Sequence, residues 1–231
     1  MNLLFDLDGT LTDPRVGITR CIAHALRGMG GEVPPPEALE RYIGPSLFLS
    51  FRELLQTGDE ERVRRAVALY RERYTDTGLY ENRVHEGIPD ALEAFRGEGH
   101  TMLVVTTKPT VFARRVVEHF GLAGYFRDVV GANLDGSRSD KAELIGHASS
   151  LHGLAAAVSV MIGDRRDDVI GARHAGIGSV GVLWGFGSRA ELVEAGAGRL
   201  CESPAQLPAG VAGAVAEARE SLPGSSADRA D

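Results

Sequence analysis

The residues best suited to chemistry are four aspartates that lie directly after short apolar segments or one helical turn further on. Asp6 and Asp8 follow the first apolar run of the chain, and Asp164 and Asp168 follow a later one. If both runs are strands of one parallel sheet, their carboxyl ends meet at the same edge. The two-residue period of a strand turns Asp6 and Asp8 to the same side. The spacing therefore predicts a group of carboxylates at one edge of a sheet.

Carboxylates held this close repel one another and take up protons unless a cation compensates their charge. Oxygen ligands without a cluster of His or Cys favour Mg²⁺, and the 7 histidines match no ligand spacing. A single aspartate at a strand end is more often a cap or turn residue, and Asp167 is interpreted as an acid of a first helical turn. Two acidic clusters, each after an apolar run, favour a magnesium site of the kind used in phosphoryl transfer.

The two lysines stand out among the basic residues. The chain has 25 basic side chains, and all except Lys108 and Lys141 are arginines. A coding bias that replaces lysine by arginine explains the imbalance without any function. The lysines that remain under such a bias are candidates for positions where a compact ammonium group is needed.

Short apolar runs alternate with amphipathic segments through the last two-thirds of the chain. The runs predicted to be buried strands are residues 2–5, 101–105, 128–130, 158–162 and 179–183. The segments predicted to be helices are residues 110–120, 141–152, 167–175 and 188–195. This alternation predicts an α/β fold in which helices cover both faces of a parallel sheet.

One long segment interrupts this alternation. Residues 14–81 contain no convincing strand and repeat apolar side chains at helical spacing, between loops rich in Pro and Gly. We therefore expect an α/β core domain of residues 1–13 and 82–222 and a helical domain of residues 14–81 inserted after the first strand. The insert would sit over the carboxyl end of that strand, where open α/β sheets bind ligands. The polar end, residues 223–231, is expected to be disordered.

The overall composition excludes several classes of protein. The 231 residues suit one or two domains, and the two distant cysteines, Cys21 and Cys201, exclude a disulfide-stapled scaffold. A formal net charge of −7 argues against a nucleic-acid polymer as partner. The apolar runs are too short to span a membrane, and an acidic pair by the eighth residue argues against a cleaved signal peptide. We therefore expect a cytoplasmic protein without membrane contact, whose anionic substrate needs a local positive site or a bound cation.

Four segments resemble the four motifs of the haloacid dehalogenase superfamily in order and spacing. They are FDLDGT at residues 5–10, VVTTKP at 104–109, SDKAEL at 139–144 and MIGDRRDD at 161–168. The segments SRSDKAELI, VMIGDRRDDVIGARHAGI and GVLWGFGS are most similar to the phosphoglycolate phosphatase and 5′-nucleotidase branch. The resemblance covers the chain to about residue 200. It implies a Rossmann-like parallel sheet core with a helical cap domain inserted after the first strand.

The resemblance also implies catalytic roles for four side chains. Asp6 would be the nucleophile that forms an aspartyl-phosphate, and Asp8 would protonate the leaving oxygen and then activate water. Thr106, helped by the backbone N–H of Thr107, would bind a phosphoryl oxygen. Lys141 would neutralise phosphate charge and hold the carboxylate of Asp6 in place.

The metal site follows from the same resemblance. It implies that Mg²⁺ is bound by Asp6, by the main-chain carbonyl of Asp8 and by Asp164. Asp168 would support these ligands from close by. The acid at position 8 also matters for the activity, because dehalogenases of the superfamily lack it and ion-pumping ATPases carry Thr there.

Three further positions near the motifs have a proposed role. Lys108, beside the second motif, is a candidate for phosphate binding. Gly9 is expected to leave room for the phosphoryl group, and Thr10 to shape the turn after the nucleophile. Residues 185–190, GFGSRA, formally resemble a dinucleotide fingerprint, but they follow the last predicted strand rather than the first, which argues against a nucleotide cofactor.

The helical insert matches the superfamily cap in position and in helical character. Caps close over the site, exclude water and supply contacts that select the substrate. Arg20, Arg41 and Arg52 are candidates to meet a distal anion of the substrate, although a solvated helix face is the commoner reason for such arginines. Residues 41–45 resemble the cap loop that faces the core domain.

Together these features predict a Mg²⁺-dependent phosphomonoester hydrolase. Its substrate would be a small phosphorylated metabolite, such as phosphoglycolate or a nucleoside monophosphate. A phosphomutase of the β-phosphoglucomutase type, a phosphotransferase acting on a protein and a non-catalytic binding module are the alternatives. A phosphonate hydrolase is excluded, because it needs a lysine in the insert and residues 14–81 contain none. Both a monomer and a homodimer are compatible with the sequence.

Overall fold

The computed structural model of the chain describes the backbone of residues 1–220 and the side chains of residues 1–217. Its strands are β1 (Asn2–Phe5), β2 (Thr12–Asp13), β3 (Arg83–Val84), β4 (Thr101–Pro109), β5 (Asp128–Ala132), β6 (Ser159–Gly163), β7 (Gly178–Val182) and β8 (Arg199–Cys201). Six of them form a parallel sheet in the order β5-β4-β1-β6-β7-β8. The expected tail, residues 223–231, lies outside the described residues.

Helices make up most of the remaining chain. They are α1 (Arg15–Gly28), α2 (Pro36–Leu39), α3 (Leu47–Leu54), α4 (Glu60–Arg73), α5 (Ile88–Gly97), α6 (Thr110–His119), α7 (Lys141–His152), α8 (Arg166–His174), α9 (Arg189–Ala195) and α10 (Leu207–Glu220). The five predicted strands and four predicted helices are confirmed. The end of β4 differs most from its prediction, because the strand continues to Pro109. The short edge strand β8, which is only partly buried, was not predicted.

The strand β1 lies at the centre of the sheet and is covered on both faces. Its side chains alternate between two apolar clusters, with Leu3 and Phe5 in one and Leu4 in the other. The cluster around Leu4 is completed by α7 and α8, and the opposite face is covered by α5, α6 and α10. This burial on both faces explains why β1 is an uninterrupted apolar run in the sequence.

The helical insert contains α1 to α4, and α1 packs along α4. Apolar side chains at helical spacing, such as Ile22 and Leu26 of α1 and Val63 and Val67 of α4, are buried there. A two-stranded antiparallel ribbon, β2 with β3, joins the two ends of the insert. The ribbon supports the proposed division of the chain at residues 13/14 and 81/82.

The parallel strands place the carboxyl ends of β1, β4 and β6 side by side at one edge of the sheet. The first and fourth motifs span the carboxyl ends of β1 and β6, the second forms the end of β4, and the third contains the start of α7. Within residues 1–220, the helices are all too short or too polar to cross a bilayer.

Candidate active site

The position of Asp6 is fixed by the sheet itself. Asp6 directly follows β1, and its backbone N–H still donates to the carbonyl of Ile162 in the neighbouring strand, at 2.9 Å. Asp6 is only 3% exposed. The Nζ of Lys141, the first residue of α7, donates to Oδ1 of Asp6 at 2.9 Å and to the carbonyl of Val105 at 3.1 Å. The strand end and the helix start thus hold a carboxylate against an ammonium group.

Lys141 also contacts a second carboxylate. Its Nζ lies 2.7 Å from Oδ1 of Asp168, in the first turn of α8. Burial alone would lower the pKa of Lys141, but Asp168 and Asp6 more than offset it and raise that pKa above its usual range. Burial raises the pKa of Asp168 to about 6, with the charge of Asp6 adding to the effect and Lys141 opposing it. One ammonium group therefore compensates two buried carboxylates.

Asp164 completes this group and is completely buried. It follows β6, and its Oδ2 accepts a hydrogen bond from the backbone N–H of Phe186 at 2.8 Å. Burial, together with the charges of Asp6 and Asp168, holds the pKa of Asp164 well above its usual range. The raised pKa marks a carboxyl group whose ionised form is only partly compensated, by the charge of Arg165 and the N–H of Phe186.

Glycines surround Asp164 because side chains would collide with it. Gly9 has a φ of +90°, and a Cβ there would lie 2.2 Å from Oδ2 of Asp164. A Cβ on Gly185 would lie 2.4 Å from the same oxygen, and one on Gly187 would lie 1.9 Å from the backbone oxygen of Asp164. Asp164 thus excludes a side chain at position 9, and the room expected there for a phosphoryl group stays a prediction. The loop at residues 185–190 likewise encloses this carboxylate.

The carboxylates fit a divalent cation. One oxygen each from Asp6, Asp164 and Asp168 lies within 4.8 Å of the other two, and all three residues are buried. A set of carboxylate oxygens, with like-charge repulsion that raises the pKa of Asp164, suits a hard cation such as Mg²⁺. The carboxylate of Asp8 is not in this group, which agrees with a role for its main-chain carbonyl rather than its side chain.

Asp8 instead forms a separate buried network. Its Oδ2 accepts from the Nζ of Lys108 at 2.5 Å, and the same Nζ donates to the hydroxyl of Tyr74 at 2.8 Å. Burial raises the pKa of Asp8, with Lys108 opposing and Asp6 adding to the effect. The expected role of Lys108 in phosphate binding stays a prediction, because Asp8 and Tyr74 take two of the three donors of its ammonium group.

The second motif joins the core to the insert. The hydroxyl of Thr106 is buried and accepts from the backbone N–H of Lys108 at 3.3 Å. The hydroxyl of Thr107 donates to the carbonyl of Gly44 in the insert at 2.7 Å. Arg165 makes a similar link, from its Nη1 to the carbonyl of Ile43 at 3.0 Å. The expectation that residues 41–45 face the core is confirmed.

A cavity that is partly open to solvent lies between the insert and the core. Asp8, Thr107 and Lys108 line its core side. Five aromatic side chains also line it, namely Tyr42, Phe48, Tyr70, Tyr74 and Phe112. The cavity therefore places the carboxylate of Asp8 in a space that is lined in part by aromatic rings.

The three arginines considered as candidates to meet the substrate do not line this cavity. Each pairs with a glutamate instead, in the pairs Arg20–Glu81, Arg41–Glu53 and Arg52–Glu60. Arg71 of α4 lines the cavity in their place, and it donates to the backbone carbonyl of Leu134. Its Nε is buried and has no hydrogen-bond partner among the described residues. Sequence reasoning missed Arg71, because nothing distinguishes it from the other arginines of the helix.

Two further contacts were missed. The backbone N–H of Phe186 binds Asp164, and the ring N–H of Trp184 donates to the carbonyl of Thr10 at 3.0 Å. The hydroxyl of Thr10 lies 3.4 Å from Oδ1 of Asp164. The pair of glycines around Phe186 was a usable signal for a loop closely packed on another group, but the partner could not be read from it.

Comparisons with known proteins agree with this geometry. The family model for haloacid dehalogenase-like hydrolases matches residues 3–182. A 5′-nucleotidase of Pseudomonas aeruginosa is 51% identical over 191 residues, which cover 83% of this chain and 86% of that protein. The tyrosine-protein kinase PtkA of Mycobacterium tuberculosis is 37% identical over 193 residues, 83% of this chain and 65% of that protein. A crystal structure of a predicted phosphatase from Clostridium acetobutylicum superposes with a TM-score of 0.86 at 40% identity, covering 89% of this chain and 95% of that one.

Proposed function

The chain belongs to the haloacid dehalogenase-like hydrolase family, and from that premise we propose that it is a Mg²⁺-dependent phosphatase of small phosphomonoesters that works through an aspartyl-phosphate. One observation carries the proposal. Asp6 contacts the ammonium group of Lys141 and lies in a buried cluster of carboxylates with Asp164 and Asp168. Asp8 lies outside this cluster and is held by Lys108. Two carboxylates in different surroundings suit two different roles.

In the first step, a carboxylate oxygen of Asp6 attacks phosphorus and the ester oxygen leaves. Asp8 gives its proton to that leaving oxygen. Lys141, whose Nζ contacts the carbonyl of Val105, and the hydroxyl of Thr106 in the same strand would bind phosphoryl oxygens. These groups are fixed before the substrate arrives, so little reorganisation is needed to stabilise the charge of the transition state.

In the second step, water attacks the phosphorus of the aspartyl-phosphate and releases inorganic phosphate. Asp8, deprotonated by the first step, accepts the proton of that water. Asp6 returns as a free carboxylate beside Lys141. Because Asp8 is buried next to the cavity, one carboxyl group can serve both steps.

The residues that would hold Mg²⁺ are Asp6, Asp164 and Asp168, with the main-chain carbonyl of Asp8. When bound, the ion supplies positive charge that offsets the phosphoryl oxygens and the three carboxylates. Phe186 and the surrounding glycines keep Asp164 in position for this role.

The aromatic cavity favours one of the two expected substrate classes. A nucleoside monophosphate presents a planar base that can stack on aromatic side chains such as Phe48 and Tyr42. Phosphoglycolate has no ring that could stack on them. The unpartnered Nε of Arg71 offers a donor to a polar edge of the leaving group. The name of the Pseudomonas relative is consistent with this preference.

The test is phosphate release from a panel of nucleoside 5′-monophosphates, phosphoglycolate and sugar phosphates, with and without Mg²⁺. We expect Mg²⁺-dependent release, highest with a nucleoside monophosphate and reduced at least about a thousandfold by Asp6→Asn. Asp167→Asn is the matched control, because Asp167 is exposed beside the site, and it should keep full activity. An isomeric sugar phosphate as product would support a phosphomutase, phosphate on protein a transferase, and binding without turnover a binding module.

A further inference from the structure

Lys108 connects three parts of the chain at one point. It lies in β4 of the core, its Nζ contacts Asp8 in the loop after β1, and the same Nζ contacts the hydroxyl of Tyr74. Lys108 is only 8% exposed and Tyr74 only 2%. A buried ammonium group needs compensation for the water that it has lost, and Asp8 and Tyr74 supply it.

Tyr74 belongs to the helical insert and stands where the chain starts back towards the core. The α-helix α4 ends at Arg73, and residues Tyr74–Gly78 form a single π-helical turn that leads to β3. Single π-turns occur frequently at functional sites. The Tyr74 ring stacks on Tyr70 and meets the edge of Phe112, so the position of its hydroxyl is fixed by packing.

The two oxygens of Asp8 have different surroundings. Oδ2 accepts from Lys108. Oδ1 is buried and receives no hydrogen bond from the residues that the structure describes. The bond from Lys108 to Oδ2 thus fixes the rotation of the Asp8 carboxyl group. Oδ1 remains available for the reaction.

We propose that Tyr74 and Lys108 are positioning residues for Asp8, which hold Oδ2 so that Oδ1 exchanges the proton with the leaving oxygen and with water. The inference rests on the proposed phosphatase function. As the bond between Asp6 and phosphorus forms and the ester bond breaks, the proton passes from Oδ1 of Asp8 to the departing oxygen. In the second step Oδ1 takes a proton from the attacking water. Because Tyr74 comes from the insert, this alignment is complete only when the insert is packed against the core.

The test compares two substrates of similar size that differ in their need for a proton. Benzyl phosphate releases a strongly basic alkoxide that must be protonated, whereas p-nitrophenyl phosphate releases a stable phenolate. The value of kcat/KM covers the steps up to the departure of the leaving group. The ratio of the two kcat/KM values therefore reports proton donation, and it is independent of how much of a variant is folded.

We expect the ratio of kcat/KM for benzyl phosphate to kcat/KM for p-nitrophenyl phosphate to fall about tenfold in Tyr74→Phe and about a hundredfold in Lys108→Met. Small misplacements of a reacting group have effects of this size. Asp8→Asn removes the proton donor itself, so the fall of the ratio in this variant is the largest expected, about a hundredfold to ten-thousandfold. Tyr80→Phe is the matched control. Its hydroxyl lies in the same connection from insert to core and accepts from Arg115, outside the cavity, so the ratio should not change.

An unchanged ratio in both Tyr74→Phe and Lys108→Met, in an active wild-type background, would overturn the positioning role and leave the phosphatase function intact. A loss of both activities in equal proportion would also overturn it, because that is the signature of a structural role. A wild-type protein that hydrolyses neither ester with Mg²⁺ present would overturn the phosphatase function and this inference together.

Discussion

The Nζ of Lys141 lies 2.9 Å from Oδ1 of Asp6, although 135 positions separate the two residues along the chain. The contact exists because β1 ends at the edge of the sheet where α7 begins. Lys141 contacts Asp168 at the same time. A single buried ammonium group thus orients the proposed nucleophile and compensates two carboxylates, so its removal should affect both activity and stability.

We predict that Lys141→Met lowers phosphatase activity at least about a hundredfold. It should also lower the free energy of unfolding by about 3–5 kcal/mol at neutral pH, because it leaves buried carboxylates without their partner. Urea unfolding of the metal-free protein measures the second effect. Arg189→Met removes a cation from an exposed pair with Glu202 and should cost less than about 1 kcal/mol. Equal losses in the two variants would contradict the role assigned to Lys141.

Asp164 leads to a prediction about the metal. Its buried carboxyl group is repelled by Asp6 and Asp168, so Asp164→Asn should make the metal-free protein more stable than the wild type. Mg²⁺ at about a hundred times its Kd should stabilise the wild type by about 2.7 kcal/mol and the variant far less. Thermal unfolding with and without Mg²⁺ measures both effects. Asp167→Asn, at an exposed neighbouring acid, should respond to Mg²⁺ like the wild type.

Much of this arrangement could be predicted from the sequence because it depends on local patterns. The apolar run before Asp6 defines a buried strand, and Asp140 caps a helix whose first residue is Lys141. The topology of a parallel sheet then brings such strand ends together without further information. Gly9 was also correctly identified as a backbone requirement, and the room that it was expected to leave for a phosphoryl group stays a prediction.

The contacts that could not be predicted depend on the packing of the insert against the core. The hydroxyl of Tyr74 contacts Lys108, which lies 34 positions later in the chain. No local sequence pattern indicates that these two residues are in contact. Arg71 lines the cavity while Arg52 pairs with a glutamate, because the rotation of each helix decides which of its faces meets the core. A surface arginine and a substrate-facing arginine look alike in the sequence.

The glycine at position 187 provides a test of the loop that encloses Asp164. A Cβ there would lie 1.9 Å from the backbone oxygen of Asp164, and a backbone atom cannot move away cheaply. We expect Gly187→Ala to lower the free energy of unfolding by at least about 2 kcal/mol, since overpacking costs about 1–3 kcal/mol, and to weaken Mg²⁺ binding. Gly146→Ala is the control, because that glycine lies within α7 and a Cβ there meets nothing within 4 Å. It should instead stabilise the protein by about 0.5–1 kcal/mol. A neutral effect of Gly187→Ala would show that the loop is not closely packed on Asp164.

His85 leads to a prediction of pH dependence away from the metal site. Burial lowers its pKa, with nearby Asp13 opposing and Arg83 and Arg15 adding to the effect, and its Nε2 has no partner among the described residues. As pH falls through about 6.5, the ordinary pKa of histidine, the unfolded chain binds a proton that the folded protein does not. Stability is therefore lost as pH falls from 7.5 towards 5.5, in the sense required by linkage.

His85→Gln removes this contribution, so the variant should lose less stability than the wild type over the same pH range. The difference should stay below about 1 kcal/mol, because the ring is partly exposed and solvent screens its charge. Urea unfolding at pH 7.5 and 5.5 gives the two differences in free energy. Other groups, such as Asp168 with its pKa raised to about 6, titrate alike in both proteins and cancel in the comparison. His147→Gln changes an exposed position of α7 and should lose as much stability between pH 7.5 and 5.5 as the wild type. If His85→Gln also lost as much, the effect could not be assigned to the burial of His85.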